Sequence, residues 1–160
     1  LTLSADGRYV QMTCDQGPDA PEIYPILRIS SAQVVSVGKM LTPFASHTNL
    51  VVLQDERPHH LAVWDLDQAK MIARLPRHPS RDENGVYKPL RAALSDDGRL
   101  LASASYDGLV RIWDMQTRQL LGEAKLVQEI TALAFDSAAQ RLAAGSAEGE
   151  IFVLQIPELK

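Results

Sequence analysis

The chain holds one cysteine, Cys14, in 160 residues. It cannot close an internal disulfide, and an unpaired thiol suits a reducing compartment, so a cytoplasmic location is expected. No stretch approaches the ~20 consecutive apolar residues that a membrane-crossing helix requires. The opening Leu1-Thr2-Leu3-Ser4 has neither the basic start nor the apolar middle of a signal peptide; it reads as the middle of a structural element, with further chain expected upstream. No run of five or more Lys/Arg occurs and the formal net charge is -4, so the long-range attraction to phosphate on which nucleic-acid binding depends is missing. Neither nucleic acid nor membrane is an expected partner.

Catalytic signatures are equally scarce. There is no nucleophile elbow, no phosphate-binding glycine loop and no metalloprotease helix, and Cys14 has no base beside it in sequence. His59, His60 and His78 are the nearest approach to a metal set, but adjacent residues on a strand point to opposite faces and no Cys or His stands at zinc spacing. The expectation is no catalytic residue, no cofactor and no metal. What remains is ordinary globular usage, 46% hydrophobic and 22% charged, which is enough to bury a core.

The positive signal is repetition. The segment Leu94-Ser95-Asp96-Asp97-Gly98-Arg99-Leu100-Leu101 continues through Asp107-Gly108 to Ile112-Trp113-Asp114, and a weaker copy runs from Phe135 to Gln155. Leu101 pairs with Leu142, Gly108 with Gly149 and Trp113 with Leu154, each 41 residues apart. A related start, Leu3-Ser4-Ala5-Asp6-Gly7-Arg8, opens the chain, and another copy ends in Val63-Trp64-Asp65. With Ser4, Ser46, Ser95 and Asp136 as equivalent marks the spacings are 42, 49 and 41, the period of a propeller blade with one insertion.

Inside each unit, β-branched and aromatic runs such as Leu109 to Trp113 alternate with Asp-Gly dipeptides that supply the positive φ of tight turns. The pattern predicts four strands per unit, a to d from inside to outside. They fall near 1–3, 8–13, 22–29 and 33–37; 40–45, 49–54, 60–66 and 70–75; 90–95, 99–105, 109–114 and 119–125; and 130–135, 141–147 and 150–156, where the last unit lacks an outer strand. The fold class is all-β, about four blades over approximately 1–37, 38–75, 86–125 and 126–160.

These residues resemble the WD-repeat (WD40) family, most fully in the third unit from Leu94 to Asp114. The second unit keeps Trp64-Asp65, the first keeps Ser4-Ala5-Asp6-Gly7, and the fourth keeps mainly spacing and apolarity. The resemblance implies a β-propeller in which Ser103 (or Ser105), Asp107 and Trp113 form a partial hydrogen-bond relay, with no His in the loop before strand a to complete it. Trp64, Asp65 and Asp114 are structural by the same likeness. Four units are fewer than the roughly seven blades usual for that family, so the resemblance implies that the chain is the C-terminal portion of a larger propeller, closed by blades outside it. The phrase Gly38-Lys39-Met40-Leu41-Thr42-Pro43 is similar to the WD-repeat tails of large bacterial STAND-type signalling proteins, where the tail is the ligand-sensing end.

Connection lengths locate a binding face. The a-to-b and c-to-d turns are short, while residues 14–21, 55–59 and 76–88 expand b-to-c or d-to-a connections. In an antiparallel blade these share one rim, and repeat scaffolds place extra residues on the face they use. Arg57, His59, Arg77, His78, Arg81, Tyr87, Lys88 and Tyr106 are the candidate contacts there, Arg and Tyr being common interface anchors. The expected function is a non-catalytic protein-interaction scaffold or ligand-sensing module, its partner another protein or other domains of the same polypeptide. The alternatives are a propeller enzyme with a site in the central channel and a structural subunit of a multi-protein assembly.

Overall fold

A computed structural model describes residues 1–4, 6–12, 24–37, 48–54, 60–76, 91–105, 108–126 and 129–156. These form strands and turns, with no helix among them. The first sheet runs β1 (Thr2–Leu3), β2 (Tyr9–Gln11), β3 (Pro25–Arg28) and β4 (Gln33–Val37); the second runs β5 (Leu50–Gln54), β6 (Leu61–Asp65) and β7 (Lys70–Arg74). The third contains β8 (Arg91–Leu94), β9 (Leu100–Ala104), β10 (Leu109–Asp114) and β11 (Gln119–Lys125), and the fourth β12 (Ile130–Phe135), β13 (Arg141–Ser146) and β14 (Ile151–Gln155). Sequential neighbours pair antiparallel in every sheet. The strand expected over 40–45 lies outside the described residues. The chain separates into two compact units, 1–76 and 77–160, each holding two sheets.

The a-to-b turns close by one chemical rule. In the first sheet the Ser4 hydroxyl donates to Asp6 Oδ1 at 2.7 Å and accepts the Tyr9 amide at 2.9 Å, while Asp6 Oδ1 accepts the Arg8 amide at 3.0 Å. In the third, Ser95 and Asp97 repeat the pattern with Arg99 and Leu100, at 2.6, 3.0 and 2.9 Å. The fourth sheet merges both roles in Asp136, whose Oδ1 accepts the Gln140 and Arg141 amides at 2.8 and 2.9 Å. Each device satisfies turn amides that the ladder cannot reach.

The c-to-d turns have their own signature. Ala32, Ala69 and Arg118 each end such a turn with φ of 50, 49 and 60°, a left-handed conformation that L side chains resist. Just before each turn the c-to-d pairing slips by a residue, at Ile26/Leu27, Val63/Trp64 and Ile112/Trp113. Leu27-Arg28 therefore occupies in the first sheet the place that Trp64-Asp65 and Trp113-Asp114 hold in the next two.

Within each unit the two sheets stack face to face. In the first unit Tyr9, Ile26 and Val35 meet Val51, Leu53 and Leu66, with Trp64 packed against them. In the second unit Leu100, Ala102, Ala104, Val110 and Ile112 meet Ile130, Leu142 and Ala144, closed over by Leu133, Phe135, Phe152 and Leu154. The side chains that alternate with these on β14 point away, leaving Ile151 75% and Val153 59% exposed. Leu142, with no exposed surface, should lose about 2–5 kcal/mol on replacement by Ala in urea unfolding, whereas Ile151→Ala should stay within about 0.5 kcal/mol. Ala139 holds φ 52° where the first and third sheets have Gly7 and Gly98. Ala139→Gly should therefore gain about 0.5–1 kcal/mol in the same measurement.

Candidate functional site

The Trp-Asp ends of β6 and β10 are built for stability. The buried Trp113 indole donates Nε1–H to Ser103 Oγ at 3.0 Å, joining strands c and b. Asp114 is buried as well, and its Oδ1 accepts the Gln116 and Thr117 amides at 2.7 and 3.2 Å, capping the c-to-d turn. Asp65 does the same for Gln68, taking the amide at 3.0 Å and the side-chain amide at 2.9 Å. In the second sheet the register places Leu53 where Ser103 stands in the third. Leucine offers no acceptor, so Trp64 has no serine of that kind and packs on the apolar cluster. Ser105 is buried and its carbonyl accepts the Gly108 amide at 3.1 Å.

The remaining residues singled out from the sequence, Arg57, His59, Arg77, His78, Arg81, Tyr87, Lys88, Tyr106 and Asp107, lie outside the described residues. His60 is described, and its Nδ1 stands 3.1 Å from the Leu75 carbonyl, turned to the backbone of the neighbouring strand.

The structure also gathers a polar group that the sequence reading passed over, on the edge formed by the short turns of the first two sheets. Asp67, in the β6–β7 turn, accepts from Arg8 Nη1 at 2.9 Å and from the Tyr9 hydroxyl and Asn49 Nδ2. Arg8 reaches Asp6 and Asn49 as well. Arg28 donates Nη2–H to the Asp67 and Leu66 carbonyls at 2.8 and 3.2 Å. The two guanidinium carbons sit 5.5 and 5.9 Å from the Tyr9 ring centroid, a cation–π range. Beside them opens a cleft of about 560 Å³ lined by Gly7, Arg8, Tyr9, Arg28, Ile29, Ser30 and Asp67. A clue did exist in the sequence: Arg28 stands where the second and third units carry Asp65 and Asp114.

The charges here are tuned by their partners. The Ser4 hydroxyl, then the Arg8 amide, hold Asp6 down to about 2 from an ordinary 3.8. The Tyr9 hydroxyl lowers Asp67, and burial, followed by the bond to Asp67, raises Tyr9. Ser95 lowers Asp97, and the Arg141 amide lowers Asp136.

Sheets of this construction, with capped short turns and a Trp-Asp at the end of strand c, define a repeat scaffold of propeller-blade type. Residues 70–114 match the family described as "WD domain, G-beta repeat". That match starts on β7 and ends with β10, so the sequence repeat begins with the outer strand of one sheet and finishes on the next. The chain is 28% identical over 127 residues to telomerase protein component 1 of Mus musculus, covering 79% of this chain and 5% of that protein. It is 25% identical over 130 residues to WD repeat-containing protein 18 of Homo sapiens, covering 67% of this chain and 30% of that protein. Residues 70–114 therefore carry a WD repeat, and the chain as a whole is similar to WD-repeat proteins.

Two measurements probe this chemistry. Ser103→Ala strands a buried indole N–H and should cost about 1–3 kcal/mol in urea unfolding, against a near-neutral exposed Ser30→Ala. The turn carboxylates have folded-state pKa values below their unfolded ones, so their contribution is complete above pH ~4 and drains away as pH falls toward 2. Thermal unfolding between pH 5 and 2 should show this slope, and Asp6→Asn should flatten it; equal slopes would assign the acid sensitivity elsewhere.

Proposed function

We propose that this chain is a non-catalytic protein-interaction scaffold within a larger protein, gripping its partner through the b-to-c and d-to-a connections. The observation that carries this is the uneven length of the links between strands. Every described a-to-b turn fits between Ser4 and Arg8, Ser95 and Arg99, or Asp136 and Gln140, and every c-to-d turn within 29–32, 66–69 or 115–118. The links 12–24, 55–60 and 75–90 are longer and leave from the opposite ends of their strands. They carry Arg57, His59, Arg77, His78, Arg81, Tyr87 and Lys88, which with Tyr106 supply cationic and aromatic anchors. The polar side chains at the Trp-Asp ends, by contrast, are occupied in capping turns and tying strands, which leaves them no free chemistry for a reaction.

The setting in a larger protein is supported by the small share of each relative that the chain spans, 5% and 30%. The exposed Ile151 and Val153 suit a further sheet stacking on the fourth, as repeat scaffolds require of their inner members. The partner is another protein or another domain of the same polypeptide, and a ligand-sensing role is the regulatory form of that contact.

Affinity purification of the full-length protein would identify the partner, and biolayer interferometry would measure it. Arg57→Glu combined with Arg81→Glu should weaken that Kd at least roughly tenfold, about 1.4 kcal/mol, with Tm unmoved. An unchanged Kd would exclude this rim.

A further inference from the structure

Position 28 departs from its repeat in a way that creates a different surface. At the equivalent places Asp65 and Asp114 accept the amides of their own c-to-d turns. A guanidinium has no acceptor and cannot do this. Arg28 instead spans to the turn of the second sheet, with Nη2 on the carbonyls of Leu66 and Asp67 and its guanidinium carbon 5.9 Å from the Tyr9 ring centroid. Arg8 has two carboxylates within bonding distance, Asp6 and Asp67. Among the described residues Arg28 has none.

We propose that the cleft beside Arg28 is a docking subsite for an acidic, apolar peptide segment of a partner protein, with a side-chain carboxylate on Arg28 and the neighbouring apolar side chain on Ile29. The guanidinium fork matches a carboxylate in geometry and charge. It is already held by two carbonyls and an aromatic ring, so less side-chain freedom is lost on binding. The charge that Asp67 presents to an incoming anion is offset by its ion pair with Arg8 at 2.9 Å. Ile29, 47% exposed beside Ser30 at the cleft wall, offers an apolar contact that a bare anion would not use. The cleft lining carries Arg8 and Arg28 against one carboxylate, Asp67, an excess of one positive charge that fits a monoanionic side chain in a peptide; polyanionic nucleic acid calls for a row of such charges. The subsite lies on the short-turn edge, opposite the long links, so it stands or falls independently of the rim proposed above.

Amide-resolved NMR titration of the ¹⁵N-labelled chain tests it with two acetylated, amidated probes, Gly-Leu-Glu-Leu-Gly and Gly-Leu-Gln-Leu-Gly, and with inorganic phosphate. The glutamate peptide should shift the amides of Arg8, Ile29 and Ser30 saturably, with the glutamine peptide and phosphate at least roughly tenfold weaker. Ile29→Asp leaves every bond of Arg28 in place and puts a repelling carboxylate at the contact. It should weaken binding at least roughly tenfold at unchanged Tm, and Arg28→Gln should abolish it. Equal binding of the glutamine peptide or of phosphate, shifts confined to other residues, or full affinity in Ile29→Asp would overturn the assignment.

Discussion

A three- or four-stranded antiparallel sheet of this size has more apolar surface than it can hide alone, and the constraint on this chain is that each sheet must lay one face on a neighbour. The small residues of the third sheet set the spacing of one such contact. Ala102 and Ala104 carry almost no bulk, so Leu142, Ala144 and Ile130 of the fourth sheet can approach and bury completely. In the first unit larger groups do the same work, Tyr9 and Ile26 filling the space over Val51 and Leu53. The sheets can be stacked only if their connections stay clear of the contact, which is why the turns at one edge are short and internally satisfied.

That satisfaction is chemical and interchangeable. A Ser-Asp pair holds two of the a-to-b turns and one aspartate holds a third, with the same amides accepted in each case. Likewise Asp65 and Asp114 cap successive c-to-d turns. Once a turn is tight enough to form without its cap, the capping position is released for other use. Arg28 is that case: the first sheet keeps the turn and its positive φ at Ala32 while its side chain serves the contact with the second sheet and the wall of a cleft.

Much of the fold was legible because a two-residue alternation and a 41-residue period leave little room for another reading. The strands over 109–114 and 130–135 fall on the residues where β-branched and aromatic side chains cluster. The indole–serine bond was legible through likeness, and the b-to-c register sets the two residues diagonally, Trp113 opposite Leu101 and Ser103 opposite Arg111. The cluster around Asp67 was not. Arg8 and Asp67 are 59 residues apart, and nothing in either neighbourhood announces the other; they meet because two sheets stack in register.

By itself the sequence determined the strands, their turns and the capping chemistry, since these depend on neighbours within a few residues or on the next strand of the same sheet. Only the tertiary structure decided which face of each sheet is buried against which, that Trp64 packs on the apolar cluster of the first unit, and that Arg28 turns across a sheet boundary. Those outcomes depend on distances between sheets, which are fixed by the volumes of side chains far apart in the chain and carry no local pattern.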